Sequence, residues 1–119
     1  MIVKMFHWPG KVIPSPDQEP SINRNLVIIG GVITDLTSPR YTPAGIMIAE
    51  FKLSHYSDQQ EANVQRRVEF EFEAIAIAET AKKIISIGSG CNVEITGFIA
   101  KKHRLSKQLI LHVRNTRII

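Results

Sequence analysis

Between Arg66 and Ile77 apolar and charged residues alternate without interruption: Val68, Phe70, Phe72 and Ala74 on one side, Arg67, Glu69, Glu71 and Glu73 on the other. A two-residue period sorts these sets onto opposite faces of an extended strand, whereas the 3.6-residue period of a helix would mix them. The chain must therefore build a sheet with one buried and one solvated face.

The same signature recurs along the chain. In Ile46 to Tyr56, Met47, Ala49, Phe51 and Leu53 alternate with Ile48, Glu50, Lys52 and Ser54, which sends the first set to a core and leaves Lys52 and Tyr56 together on the opposite face. Leu26 to Thr34 carries Gly30 and Gly31, and glycine inside a strand marks a bend or bulge where a barrel curves. Asn92 to Ala100 places Val93, Ile95 and Ile99 on one face, and Gln108 to Ile118 does so with Leu109, Leu111 and Val113. Pro39 to Gly45 reads as the first connecting loop.

Ala78 to Ile87 differs: several alanines, Glu79 four residues before Lys83, and Gly88 at the end predict one short helix. The order is three strands, a helix and two strands. That order predicts an all-β, five-stranded OB-fold barrel of Greek-key type, with the helix between strands three and four and a ligand face on the second and third strands and two loops.

A chain of 119 residues, 44% hydrophobic and 22% charged, supports one core and one domain. Pro9, Pro14, Pro16 and Pro20 fall in the first twenty residues, so residues 1–22 are expected to form an extended, disordered arm that includes Trp8, and residues 23–119 the OB domain. Cys91 is the single cysteine, which rules out an internal disulfide or a cysteine-based zinc cluster and suits a reducing, cytoplasmic setting. No apolar run reaches signal-peptide or membrane-spanning length, so neither export nor a membrane is expected.

The net charge of +4 is modest, but it is sorted along the chain. From Ile95 onward there are six basic residues and no acid, while Glu61 to Glu79 holds five of the eleven acids. Lys101, Lys102, His103, Arg104 and Lys107 crowd the loop between the last two strands, where cations on a flexible hairpin can follow the phosphates of an irregular single strand. A solvated, fortuitously basic hairpin tip is the competing reading. Arg40 and Tyr41 offer a cation and a stacking ring in the first loop, Lys52 and Tyr56 share the exposed face of the second strand, and Arg66 and Arg67 open the third. Glu69, Glu71 and Glu73 repel phosphates from their strip, and they either face a basic partner or are plain solvated alternation.

Catalysis and cofactors find no support. Cys91 has no base adjacent in sequence, His55, His103 and His112 lack metal-ligand spacing, and no phosphate-binding glycine loop is present. No catalytic, metal or cofactor residue is expected.

Leu26-Val-Ile-Ile-Gly30-Gly-Val32, Arg40-Tyr-Thr-Pro43-Ala-Gly45-Ile46, Phe51-Lys-Leu53-Ser-His55, Gly97-Phe98-Ile99 and Leu105-Ser106-Lys107 together resemble the PriB family, primosomal replication protein N, over about Asn25 to Ile119. The first two segments are also similar to bacterial single-stranded-DNA-binding proteins, but the end at Arg117-Ile118-Ile119 lacks the acidic tail expected of those relatives. The resemblance implies a homodimer of OB folds in the bacterial cytoplasm that binds single-stranded DNA, stabilises the PriA helicase on it and assists primosome assembly, with DnaT and the single-stranded-DNA-binding protein as further partners. By the same resemblance Arg40 and Lys107 match family residues that contact DNA. The sequence departs from the family where Val64 and Glu69 stand in place of aromatic residues and in a shorter last loop, so electrostatics are expected to outweigh stacking. A general single-strand binder, an OB-fold interaction module using the acidic third strand, and an OB-fold nuclease remain as alternatives. The nuclease is disfavoured because its carboxylates would have to cluster, not run in a line.

Overall fold

A computed structural model describes residues 24–119, so the arm expected over residues 1–22 lies outside the described residues. The elements are β1 (Val27–Thr34), β2 (Arg40–Tyr41), β3 (Met47–Glu61), β4 (Val64–Ile77), α1 (Glu79–Ile87), β5 (Asn92–Lys101) and β6 (Leu109–Ile118). Five long strands and one helix match the expected order. The two-residue β2 sits inside what reads in sequence as a plain loop, where Arg40 and Tyr41 pair with Ile48 and Met47. Among the described residues no helix is long and apolar enough to cross a membrane.

The strands run β1-β5-β6-β4-β3, and β1 returns to pair with β3, which closes the barrel. All long pairings are antiparallel except the short β4–β6 contact, where Ala74 lies beside Leu111. Closure depends on Gly31. A Cβ there would stand 2.6 Å from the Ser54 carbonyl oxygen and 2.9 Å from Leu53 Cγ, so the strand that switches from β5 to β3 can carry no side chain at that point. Gly97 plays the matching part on β5, where a Cβ would collide with the His112 carbonyl. There the register shifts from Thr96–Asn115 to Gly97–Val113, leaving Arg114 as an extra residue on β6.

The inward residues form one core of Ile33, Ala49, Phe51, Leu53, Ala74, Ala76, Val93, Ile95, Leu111 and Val113, with Ala81 and Ile84 of α1 closing one end. Alternation therefore places most of the core on four strands, but Ile48, expected on the outer face, and Ile110, on the face opposite Leu109 and Leu111, are also buried, and three further positions differ. Phe70 is 37% exposed and Leu109 is 50% exposed, because both lie on stretches that run beyond the packed barrel. The Arg114 bulge turns Thr116, not Asn115, inward. In α1, Glu79 pairs with Lys82 at 3.3 Å, one position short of the expected Lys83.

β3 and β4 are 15 and 14 residues long. Their distal halves project as a hairpin whose two-residue turn, Ala62-Asn63, has positive φ at both positions (53° and 63°). That is the turn geometry whose twist matches a tight hairpin.

Candidate nucleic-acid interface

The hairpin joining β5 to β6 is built by short local bonds. The Lys102 amide donates to the Gln108 carbonyl at 2.8 Å, the Ser106 amide to the His103 carbonyl at 2.9 Å, and the Gln108 amide to the Ser106 hydroxyl at 2.9 Å. This turn holds Lys101, His103, Arg104 and Lys107 exposed around Leu105, which is 84% exposed at the tip. Among the described residues Lys101, Arg104 and Lys107 have no carboxylate partner.

Lys102 behaves differently. Its ammonium donates to Glu73 Oε1 at 2.8 Å, and Gln108 Nε2 donates to Glu73 Oε2 at 2.5 Å, so one carboxylate of β4 grips both stems of the basic hairpin. The parallel pairing of Ala74 with Leu111 brings the start of β6 beside Glu73. The hydrogen bond from Lys102 is the main reason that the Glu73 carboxyl is held below its ordinary range; partial desolvation opposes it, while the charge of Lys102, the bond from Gln108 and the charge of Lys52 add to it. The Lys102 ammonium is correspondingly raised.

The remaining expected contacts spread over the outer face of β3 and β4 and the rim beside it. Cross-strand register sets Lys52 opposite Glu73, Ser54 opposite Glu71, Tyr56 opposite Glu69 and Asp58 opposite Arg67. Lys52 lies 3.7 Å from Asp35, and Arg40 Nε lies 3.4 Å from Glu50. The Arg67 guanidinium stands 4.8 Å over the Tyr56 ring and 4.0 Å from Glu69, a cation–π arrangement that covers one face of the tyrosine. Arg66, the next residue along the strand, points to the other face and pairs with Glu61 at 2.5 Å, so the structure does not bring Arg66 and Arg67 together. Tyr41 is 59% exposed beside Arg40.

Five of the expected cations thus hold a carboxylate of the chain itself. Exposed pairs of this kind contribute about 0–1 kcal/mol each, which a polyanion can displace. The sequence reading missed Asp35, Glu50, Glu73 and Gln108 as members of the site. Alternation had already set Glu73 on the face of Lys52, but it carries no sign of which loop folds over that face. The acidic strip is also not a free row of carboxylates, since Glu73 is engaged.

Fold and rim together define an OB-fold protein of the class to which single-strand binding proteins belong. A family model described as a single-strand binding protein family matches residues 25–115. The chain belongs to the PriB family of replication restart proteins. It is 81% identical over 108 residues to the replication restart protein PriB of Nitrosomonas europaea, covering 91% of this chain and 100% of that protein. The solved structure of PriB from Ralstonia solanacearum superimposes with a TM-score of 0.72 at 31% identity, covering 79% of this chain and 96% of that one. The single-stranded DNA binding protein from Thermus aquaticus shares the fold, with a TM-score of 0.63 at 17% identity over 80% of this chain and 50% of that one.

Proposed function

We propose that this chain is a non-catalytic single-stranded-DNA-binding protein of replication restart. It acts as a homodimer in the bacterial cytoplasm, stabilises the PriA helicase on DNA and assists primosome assembly with DnaT and the single-stranded-DNA-binding protein. The observation that carries the DNA-binding reading is the β5–β6 hairpin: Lys101, Arg104 and Lys107 stand exposed on a turn fixed by its own hydrogen bonds, with no acid of the described chain taking their charge. Arg40, Tyr41, Lys52, Tyr56, Arg66, Arg67, Lys102 and His103 complete the candidate set. With Tyr56 already covered by Arg67 on one face and Val64 and Glu69 flanking the hairpin, the affinity is chiefly electrostatic.

Family membership supports the restart role, and the unpaired edge of β1 supports the dimer. β1 pairs with β3 only through Val32 to Thr34. Among the described residues no strand pairs along the other edge of its earlier stretch, where His55 takes the Gly30 carbonyl and Leu26 and Ile28 are exposed, the kind of edge on which a second strand adds.

Fluorescence anisotropy of a labelled poly-dT oligonucleotide, titrated at several salt concentrations beside a duplex of equal length, tests the binding. Salt-sensitive, single-strand-selective binding that is mostly lost when Lys101, Lys102, Arg104 and Lys107 are replaced by Ala is the expected result. Binding to neither DNA at low salt, or unchanged affinity and salt slope in the quadruple variant, overturns it. Co-sedimentation with the helicase on a forked substrate tests the restart partner in the same way.

A further inference from the structure

We propose that Glu73 is a built-in competitor for DNA, a carboxylate latch that occupies Lys102 and keeps it from the backbone phosphates of most bound single strands. The inference rests on the DNA-binding reading above and names how that site is regulated.

Three observations carry it. Glu73 is bonded by both stems of the basic hairpin, Lys102 at 2.8 Å and Gln108 at 2.5 Å, in the two-point manner in which a phosphate would be gripped. The hairpin does not need this carboxylate for its shape, because the Lys102–Gln108 backbone bond and the His103–Ser106 turn close it independently. Opening the latch therefore frees a cation without unravelling the loop that carries it. Finally, Lys52 faces Glu73 across the strands, and at 3.7 Å from Asp35 it is itself only loosely paired, so the displaced carboxylate keeps a cation nearby.

The latch has an energetic consequence. A single strand that contacts Lys102 must first part it from Glu73, so Lys102 adds less to binding than Lys101, Arg104 and Lys107, which have no carboxylate partner among the described residues. Each phosphate neutralised on a single strand contributes about 0.7 to the slope of log affinity against log salt. An engaged Lys102 is largely absent from that sum.

The test uses the full chain and a labelled dT oligonucleotide, with the wild type, Glu73→Gln, Lys102→Ala, the double variant, and Glu71→Gln as a neighbouring charge control. Glu73→Gln is expected to tighten binding about two- to fivefold and steepen the salt slope by about 0.7. Lys102→Ala is expected to change the slope far less than Arg104→Ala does, and Glu73→Gln is expected to have no effect on slope once Lys102 is gone. Glu71→Gln removes the same charge without freeing a cation, so its slope stays at the wild-type value. Binding by the wild type with equal slopes in Glu73→Gln and Glu71→Gln overturns the latch and leaves the DNA-binding reading standing, as does a Lys102→Ala loss equal to that of Arg104→Ala. Binding by none of the proteins removes both.

Discussion

The Nδ1 of His55 lies 2.7 Å from the carbonyl oxygen of Gly30, and its Nε2 lies 2.8 Å from the hydroxyl of Ser57. A carbonyl can only accept, so Nδ1 carries a proton, and in the neutral imidazole Nε2 then accepts from Ser57. The imidazole also stacks on Phe70, with ring centroids 4.8 Å apart. One side chain of β3 thereby ties down a backbone group on the open side of β1 and steadies the base of the projecting hairpin.

Replacing His55 by Ala leaves the Gly30 carbonyl without its partner and removes the ring beneath Phe70. The expected cost is about 1–3 kcal/mol, the usual penalty for orphaning a half-buried polar group. Urea denaturation of the variant beside the wild type measures it, and a shift below about 0.3 kcal/mol would show that water replaces the imidazole at no loss.

The free edge of β1 leads to a second expectation. Ile28 is 61% exposed and Leu26 68% exposed beside that edge, and a lysine on an edge strand is a common way in which proteins prevent strands from adding. Ile28→Lys is expected to yield a monomer by sedimentation at concentrations where the wild type is expected to dimerise, while the stability of the isolated fold changes by no more than about 0.5 kcal/mol. A wild type that sediments as a monomer, or a variant that remains dimeric, argues against β1 as the joining edge.

Acid should act through two carboxylates. Lys102 holds the Glu73 carboxyl below its ordinary range, and Arg117, bonded to Glu94 at 2.9 Å, does the same to Glu94. A depressed carboxylate binds its proton more weakly in the folded than in the unfolded chain. Its contribution to stability is therefore complete above the ordinary glutamate value of 4.5 and is lost as the pH falls through the lowered folded value. The urea midpoint of the wild type should fall more steeply below about pH 4.5 than that of the Glu73→Gln, Glu94→Gln double variant. Parallel curves would mean that neither pair is kept in solution.

Much of this was legible in the residues, and the failures have physical causes. Alternation found β4 because Ala74 and Ala76 face a core that also receives Phe51 and Leu53. It misjudged Phe70 because the two-residue period says which face a side chain takes and not whether anything stands opposite, and the hairpin outruns the barrel there. The bulge at Arg114 left no mark in the sequence, so the inward Thr116 could not be foreseen. The grip of Glu73 on Lys102 joins residues 29 apart, and that on Gln108 joins residues 35 apart. Only the parallel approach of β6 to β4 creates those contacts, and a parallel pairing carries no local turn signal. The basic hairpin itself was plain, since its charges are contiguous.

The link from β4 to α1 holds the last testable point. Ala78 precedes the helix with φ 60° and ψ −123°, a region that a Cβ makes costly and that glycine enters freely. Its amide donates to the Met47 carbonyl at 2.8 Å, which fixes the turn to β3 and holds the residue in place. The Ala78 side chain is exposed, so deleting its methyl group removes no core packing. Relief of backbone strain then outweighs the extra freedom glycine gains in the unfolded chain, and Ala78→Gly is expected to raise stability by about 1 kcal/mol. A lowered urea midpoint in that variant would mean that Ala78 adopts an ordinary conformation in solution and that α1 begins differently.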